Sequence, residues 1–369
     1  MYCQHSLGIG HLARTAHLAT ALTKLGPVGV IVGGKVPASF KFDARMALFS
    51  ITPVAMHING SLHDPVAGRD INPIMDERKL QICKAIATFQ PDTLLIEMFP
   101  FGRKKFAPEI TAGIQQAQAI KRCRIYSSVR DILVTNRSDQ KRFDELSFCR
   151  LNKLFDAVLV HGDSSFCSLE ETFPKLGDLE IPVHYTGYIS SNTAIEPTSA
   201  KKIQRKDLIV VSCGGGRVGT QLSKLALESF PLIKKFCNFD MTLLVGANAA
   251  NLEYTPQEGL TVTQQVDDLA GLLRTSKASI SQCGYNTATD ILRSEVPAVF
   301  VPFETQEENE QLHRANKFVA INRAVLLREK ELTPVALLES LSAARTCNTT
   351  TNIKLNGATN SCAIIEARL

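Results

Sequence analysis

The sequence predicts an α/β protein made of two Rossmann-like domains that face each other across a cleft. Its 369 residues exceed the length of one typical domain. Three segments, 1–32, 208–235 and 278–315, each run from an apolar strand through a glycine turn into an amphipathic helix. That order is typical of the right-handed crossover unit of a parallel sheet. Two such α/β halves predict two similar folds.

Composition argues against several classes of protein. Hydrophobic residues make up 44% and charged residues 21% of the chain, as in ordinary globular enzymes. We find no apolar run long enough to predict a membrane-spanning helix and no secretory signal at the start. The net charge of +5, with no Trp and no basic stripe, argues against nucleic-acid binding. Ten cysteines without CxxC pairs favour reduced thiols and therefore a cytoplasmic protein.

The N-terminal half opens with a glycine turn after a short strand. Gly8 and Gly10 precede His11, and the apolar period that follows predicts a helix ending at Gly26-Pro27. Residues 28–32 are the next buried strand. Because glycine lets the backbone approach a ligand closely, we expect Gly10 to bind a ligand and His11 to lie at the cleft.

Strands and helices alternate through the rest of this half. The pattern predicts strands at 47–55, 93–96, 123–128, 157–160 and 183–186, helices at 73–89 and 138–154, and a long loop at 57–72. The strand at 93–96 leads into Glu97, and the strand at 123–128 leads to Asp131. Carboxylates at the carboxyl ends of parallel strands lie where such sheets bind ligands. Aromatic and basic residues at 98–106 could hold a phosphorylated or membrane-presented acceptor, or form an ordinary solvated loop.

The C-terminal half starts after a polar linker at 190–206. A strand at 208–212 is followed by Gly214, Gly215 and Gly216, then by Arg217 and a helix at 220–235. Consecutive backbone N–H groups at a helix start bind anions, so we favour a phosphate site here over a plain tight turn.

Residues 278–316 form a second unit of this kind. A strand at 278–281 ends at Cys283-Gly284, and a helix with Thr287 and Asp290 follows. A strand at 296–301 then leads to a helix that opens with Glu310-Gln311. Helices at 333–345 and 358–367 close the chain.

This segment resembles a known donor domain. The pattern Ser281-x-x-Gly284-Tyr285-Asn286-Thr287, followed by Pro297, Pro302 and Glu310-Gln311, is similar to that of inverting two-domain (GT-B) glycosyltransferases. The similarity is to glycosyltransferase family 28, the family of the peptidoglycan N-acetylglucosaminyltransferase. It implies an acceptor-side domain at 1–189, a linker at 190–206, a donor domain at 207–356, and a terminal helix at 357–369 that returns to the first domain.

The resemblance also implies an activity. The protein would move a hexosamine or hexose from a UDP-sugar, with UDP-GlcNAc favoured, to a hydroxyl of a small-molecule or lipid-linked acceptor, with inversion. It would be cytoplasmic, with peripheral contact at the inner membrane face as an option. Asp290 would hold the ribose or base region, and Glu310 and Gln311 the sugar hydroxyls. The diphosphate would rest on the glycines with Arg217 and on Cys283, Gly284, Tyr285, Asn286 and Thr287.

The chemistry of such a transfer limits the catalytic candidates. The chain has no DxD pattern, so we expect no metal and no other cofactor. His11 is the leading candidate for the base, because histidine exchanges protons near neutral pH. Glu97 and Asp131 are competitors, and His11 could instead anchor its loop. Two other functions remain open: a UDP-sugar hydrolase of similar fold, and a non-catalytic nucleotide-sugar-binding subunit.

Overall fold

The computed structural model describes residues 1–5, 10–38, 40–57, 60–120, 122–190, 204–215, 218–246, 249 and 252–368. Gly8, Gly216, Arg217 and most of the expected linker lie outside the described residues. The chain divides into two compact units. The N-terminal unit contains Met1–Leu133, Asp139–Ile189 and Asn356–Leu369, and the C-terminal unit contains Val134–Ser138 and Ser190–Leu355.

The N-terminal unit contains a seven-stranded parallel sheet with the strand order β3-β2-β1-β6-β7-β8-β9. The strands, including a separate two-stranded antiparallel hairpin of β4 and β5, are β1 Tyr2–Cys3, β2 Val28–Val32, β3 Met46–Ser50, β4 Ala55–Met56, β5 Leu62–His63, β6 Thr93–Glu97, β7 Arg124–Arg130, β8 Ala157–His161 and β9 Val183–Tyr185. The helices are α1 Gly10–Leu22, α2 Ile71–Phe89, α3 Ala107–Ile120 and α4 Gln140–Leu154. All residues of β2 and β8 are buried, as expected for strands covered by helices on both faces.

The C-terminal unit contains a six-stranded parallel sheet with the strand order β12-β11-β10-β13-β14-β15. Its elements are β10 Lys206–Ser212, α5 Thr220–Cys237, β11 Asp240–Leu244, β12 Leu260–Thr263, α6 Leu269–Arg274, β13 Ser276–Ser281, α7 Tyr285–Ser294, β14 Ala298–Phe300, α8 Glu310–Ala320, β15 Val325–Leu326 and α9 Pro334–Ala344. The predicted α/β class with parallel sheets in two units is therefore confirmed.

The last helix, α10 Gly357–Glu366, belongs to the N-terminal unit. Its first residue lies against the backbone of Gly187 and Tyr188, where an added Cβ at Gly357 would come within 2.2 Å of the Gly187 carbonyl oxygen. The Asn360 side chain also donates to the Thr186 carbonyl at 2.8 Å. None of the described helices has the length and apolar composition that a membrane crossing requires.

Two of the local differences between prediction and structure have a clear physical reason. The strand expected at 47–55 ends at Ser50, and residues 55–56 pair instead with residues 62–63 inside the expected loop. Pro53 lies between the two strands and has no N–H to donate to a sheet. α2 begins at Ile71, two residues early, because Asp70 caps it by accepting from the Asn72 N–H.

Each sheet has one point at which its strand order reverses. In the N-terminal unit the chain runs outward from β1 to β3 and then returns to place β6 on the other side of β1. In the C-terminal unit the corresponding pair is β10 and β13. Crossover connections diverge at such a pair, which leaves a crevice at the carboxyl ends of the two strands.

A buried arginine holds the strand ends of the N-terminal unit together. Arg78 on α2 is fully buried and donates to the carbonyls of Gly33 and Thr52, which follow β2 and β3. It also donates to Gln4 after β1, at 2.6 Å, and to both oxygens of the buried Glu109 on α3, at 2.6 and 2.9 Å. One guanidinium thus fixes three adjacent strand ends.

We predict that Arg78→Met lowers the free energy of unfolding by about 3–5 kcal/mol, because it leaves the Glu109 carboxylate buried without its cation. Urea denaturation of the parent and variant measures the difference. The control Arg45→Met removes an exposed arginine that pairs only locally with Asp43, and it should leave the free energy nearly unchanged. Equal losses for both variants would contradict the special role of Arg78.

Candidate functional site

In the N-terminal unit, four ionisable side chains from two separate parts of the sequence meet at the strand reversal. Glu97, the last residue of β6, is 2% exposed. Its Oε1 lies 2.6 Å from His11 Nδ1 and also accepts from Arg14, and its Oε2 accepts from Arg103 at 3.1 Å. The structure therefore brings the two predicted residues His11 and Glu97 into direct contact.

Local structure explains how these side chains converge. His11 and Arg14 lie three residues apart on α1, so they share one helix face. Arg103 follows a tight loop in which Met98 and Arg103 have φ of 60° and 65°, a conformation that disfavours side chains. The buried rings of Phe99 and Phe101 anchor this loop. Non-glycine residues in this conformation persist only where the surroundings impose it, often at functional sites.

The charges around Glu97 set the protonation states of the pair. Burial lowers the pKa of His11 to about 3, and Arg103 and Arg14 act in the same direction, against the opposing effect of Glu97. Burial alone would raise the pKa of Glu97, but His11, Arg103 and Arg14 together hold it below its usual range. At neutral pH Glu97 is therefore a carboxylate that accepts the Nδ1–H of a neutral His11. No described residue hydrogen-bonds His11 Nε2, and the side chain is 25% exposed.

The third predicted catalytic residue lies in a different environment. Asp131 is fully buried, and its two oxygens accept from the Ile132 N–H at 3.0 Å and the Tyr188 hydroxyl at 2.8 Å. The buried position leaves Asp131 no access to a substrate, and its two hydrogen bonds give it a structural role. His161 is likewise a core residue, bonded to Ser128 at 2.7 Å and Thr186 at 2.9 Å.

In the C-terminal unit, helices α5 and α7 begin at the carboxyl ends of the two strands at the reversal. The N-cap residues of these helices, Gly219 and Gly284, are glycines, so neither offers a side chain that could cap the first turn. Gly214 has φ of 59°, which explains the glycine there. Gly215 and Gly284 have no such reason, because an added Cβ at either residue would meet no described atom within 4 Å. Packing does not require glycine at Gly215 or Gly284. Both glycines leave the backbone accessible at the carboxyl edge of the sheet, where helix dipoles favour anions.

Cys283 cannot serve as an anion donor as the sequence suggested. Its N–H donates to Gln311 Oε1 at 3.1 Å, and the residue is fully buried. Tyr285 is also buried, whereas the side chains of Asn286 and Thr287 are partly exposed. The anion-facing part of this turn therefore begins at Gly284.

The two residues that open α8 have different roles in the structure. Gln311 Oε1 accepts from the N–H groups of both Cys283 and Phe303, at 3.1 and 3.2 Å, which fixes the orientation of the amide. No described residue accepts from Gln311 Nε2. Glu310 is only 3% exposed and pairs with the fully buried Arg314 at 2.8 Å. The structure thus leaves Gln311, and not Glu310, with a group that faces outward.

Asp290 lies one turn into α7, partly buried beside the carboxylate of Asp268. The pKa of Asp290 is raised to about 7, chiefly by burial; Arg293 opposes the shift and Asp268 contributes to it. A carboxyl group that titrates near neutral pH is a common property of binding sites.

Sequence reasoning missed two residues of these clusters, Arg14 and Arg314. Arg14 had a detectable signal, since it follows His11 by three residues on a predicted helix. Arg314 follows Glu310 by four residues, the spacing of an ion pair, but sequence spacing did not show that the pair is buried.

Comparison with known proteins gives consistent matches. Residues 208–363 match the family model of the glycosyltransferase family 28 C-terminal domain. A UDP-N-acetylglucosamine--N-acetylmuramyl-(pentapeptide) pyrophosphoryl-undecaprenol N-acetylglucosamine transferase from Carboxydothermus hydrogenoformans is 26% identical over 161 residues, which cover 42% of this chain and 43% of that protein. A protein of the same description from Thermosipho melanesiensis is 22% identical over 329 residues, covering 88% of this chain and 85% of that protein.

The chain spans about half the length of the first curated relatives that it matches. Among solved structures, the glycosyltransferase of kitacinnamycin aligns with a TM-score of 0.64 at 15% identity, covering 100% of this chain and 98% of that one. At this identity the match establishes the fold, which is that of the GT-B glycosyltransferases.

The raised pKa of Asp290 predicts a pH-dependent stability. Between about pH 4, the pKa of an unfolded Asp, and pH 7 the folded state binds more protons, so the free energy of unfolding falls as pH rises. The variant Asp290→Asn lacks this loss. Its stability relative to the parent should grow by on the order of 2 kcal/mol from pH 4 to pH 8. Denaturant titrations across this range measure it, and a constant difference would show that Asp290 ionises normally.

Proposed function

We propose that the protein is a glycosyltransferase, because residues 208–363 match the family model of the glycosyltransferase family 28 C-terminal domain. It moves a hexosamine or hexose from a UDP-sugar to a hydroxyl acceptor, with inversion and without a metal. UDP-GlcNAc is the favoured donor, because the relatives carry N-acetylglucosamine transferase names. Those names also motivate a lipid-linked acceptor and peripheral membrane contact of a cytoplasmic protein, with a small-molecule acceptor as the alternative.

One observation carries the proposal: an added Cβ at Gly215 or Gly284, which follow two adjacent strands, would meet no described atom within 4 Å, and the N-cap residues of both helices are glycines without a capping side chain. A diphosphate placed there would accept hydrogen bonds from backbone N–H groups and lie at the positive ends of two helix dipoles. As the bond to the sugar breaks, negative charge grows on the departing UDP. Fixed dipoles that already point at this position stabilise that charge without reorganising.

The remaining donor contacts follow from the outward-facing groups of the C-terminal unit. Asp290 accepts from a hydroxyl of the ribose, and it does so best when ionised. Gln311 donates its Nε2 hydrogens to an oxygen of the sugar, since its Oε1 is already occupied by two backbone N–H groups. Glu310, buried against Arg314, acts on the site through that arginine instead of touching the sugar.

The N-terminal unit supplies the base. His11 Nε2 accepts the proton of the acceptor hydroxyl as its oxygen bonds to the anomeric carbon and the carbon–oxygen bond to UDP breaks. The electron pair of that bond leaves with UDP, and attack from the opposite face inverts the anomeric centre. Glu97 holds the Nδ1–H and stabilises the imidazolium that forms, while Arg14 and Arg103 keep the carboxylate in place.

The open glycines predict a separation of binding from folding. Gly284→Ala should leave the free energy of unfolding within about 1 kcal/mol of the parent, since φ of −66° suits alanine and the methyl group meets no described atom. Calorimetry with UDP should nevertheless show at least about tenfold weaker binding, because the methyl group occupies the space of the diphosphate.

The matched control for Gly284→Ala is Gly219→Ala at the start of the other helix. There an added Cβ would lie 2.4 Å from the Cβ of Cys213, so the variant should lose about 1–3 kcal/mol of stability. Unchanged UDP affinity in a well-folded Gly284→Ala protein would contradict the diphosphate site.

We predict that His11→Ala lowers UDP release from the preferred UDP-sugar by about 10²–10⁴-fold at saturating donor, because the acceptor then keeps its proton. UDP affinity should be unchanged. A panel of UDP-sugars, assayed with and without a lipid or metabolite extract, measures the release.

Release that requires no acceptor and yields free sugar would identify a hydrolase, and UDP binding without any turnover would identify a binding subunit.

A second variant tests the electrostatic part of the same assignment. Arg103→Gln keeps His11 but removes a cation that lowers the pKa of the imidazole. The acid limb of the rate profile, set near pH 3 in the parent, should therefore move to higher pH. Loss of activity on EDTA treatment would overturn the metal-free mechanism, and an unshifted acid limb would remove His11 as the base.

A further inference from the structure

The backbone of one residue of the C-terminal unit is held by two side chains of α8. Cys283, the residue before the N-cap of α7, donates its N–H to Gln311 Oε1 at 3.1 Å. Its carbonyl, which belongs to the peptide between Cys283 and Gly284, accepts from Arg314 Nη1 at 2.9 Å. Both backbone polar groups of Cys283 are thus bonded to α8, by side chains one turn apart on that helix.

Arg314 occupies an unusual position for a cation. It is fully buried, its second nitrogen donates to Glu310 at 2.8 Å, and its guanidinium carbon lies 6.0 Å from the centre of the Tyr285 ring. Buried ion pairs contribute little net stability compared with apolar side chains of the same size. The guanidinium does provide two directed donors in one rigid plane, which an apolar side chain or a lysine does not.

We propose that Arg314 is a positioning residue for the UDP-sugar site, which it serves by fixing the peptide that leads into the first turn of α7. This proposal rests on the donor site proposed above. The buried Glu310 carboxylate orients the guanidinium, and the guanidinium holds the Cys283 carbonyl. Gly284 and the start of α7 are thereby held at a fixed position relative to Gln311. The groups that would bind the diphosphate and the sugar then lie on one rigid element.

A double variant tests this role without leaving a charge buried and unpaired. Arg314→Met combined with Glu310→Leu replaces the ion pair with apolar side chains and removes the bond to the Cys283 carbonyl. In the unliganded full chain, amide hydrogens at 283–287 should exchange at least about tenfold faster. UDP should bind about tenfold more weakly, and kcat at saturating donor should stay within about threefold while KM for the UDP-sugar rises.

Arg323 provides a matched control in the same unit. It is also fully buried, and it donates to the carbonyls of Ile291 and Val296 around the other end of α7, at 2.7 and 3.0 Å. Arg323→Met should therefore speed exchange near the end of α7 and leave both the amides at 283–287 and UDP affinity at parent values. Equal acceleration at 283–287 in this control would overturn the specific role of Arg314.

Two further outcomes decide the proposal. Unchanged amide hydrogen exchange at 283–287 in a folded double variant would show that Glu310 and Arg314 only pack the core and do not position this segment. Should that variant fail to fold, Arg314→Lys retains a partner for Glu310 but not the two-donor fork, and the same local acceleration is expected. Failure of the parent chain to bind UDP would refute the donor site, while the exchange rates would still decide whether Arg314 fixes this peptide.

Discussion

The reversal of strand order in each sheet is the constraint on which both clusters depend. Two neighbouring parallel strands at this point send their connections to opposite faces, so no connection covers their carboxyl ends. In the N-terminal unit the strands are β1, followed by the helix with His11, and β6, which ends in Glu97. In the C-terminal unit they are β10 and β13, each followed by a glycine turn. The positions of His11, Glu97, Gly215 and Gly284 depend on these two strand pairs, whereas Gln311 opens α8 after the next strand, β14.

Burial of Glu97 imposes a second constraint on the N-terminal cluster. An isolated buried carboxylate would protonate or destabilise the fold, so cations must surround it. Arg14 and Arg103 meet that need. Burial, assisted by the charge of these two arginines, lowers the pKa of His11 and keeps it neutral even though it contacts a carboxylate. In the proposed mechanism, the same arrangement gives a base that is unprotonated before reaction and a counter-charge for the imidazolium after it. The strained backbone at Arg103 is consistent with selection for this geometry.

The sequence predicted the parts of the structure that depend on local pattern. Apolar strands, glycine turns and helical periods lie close together in the chain, so the α/β class and most element positions could be derived directly. The contact between His11 and Glu97 spans 86 residues and was not predicted, because the sequence only placed the two residues near strand ends, as competing candidates for the base. Asp131 had the same strand-end position, but its contacts with Tyr188 and the backbone depend on tertiary packing that no local pattern records. Glu310 was expected to contact sugar hydroxyls, and its burial against Arg314 likewise depends on tertiary packing that the sequence pattern did not show.

Gln311 links the parts of the proposed donor site into one structural element. Its Oε1 accepts from the N–H of Cys283, which precedes α7, and from the N–H of Phe303, in the loop after β14. Its Nε2 faces outward. The amide cannot rotate to offer its oxygen to a ligand without breaking two backbone hydrogen bonds, so the group presented to the sugar is set by the fold. Arg314 holds the carbonyl of Cys283, whose N–H bonds to Gln311. A change in how α8 packs would therefore alter the proposed sugar contact and the proposed diphosphate turn together. In the proposed mechanism, selectivity for the sugar and binding of the leaving group thus depend on one packing arrangement.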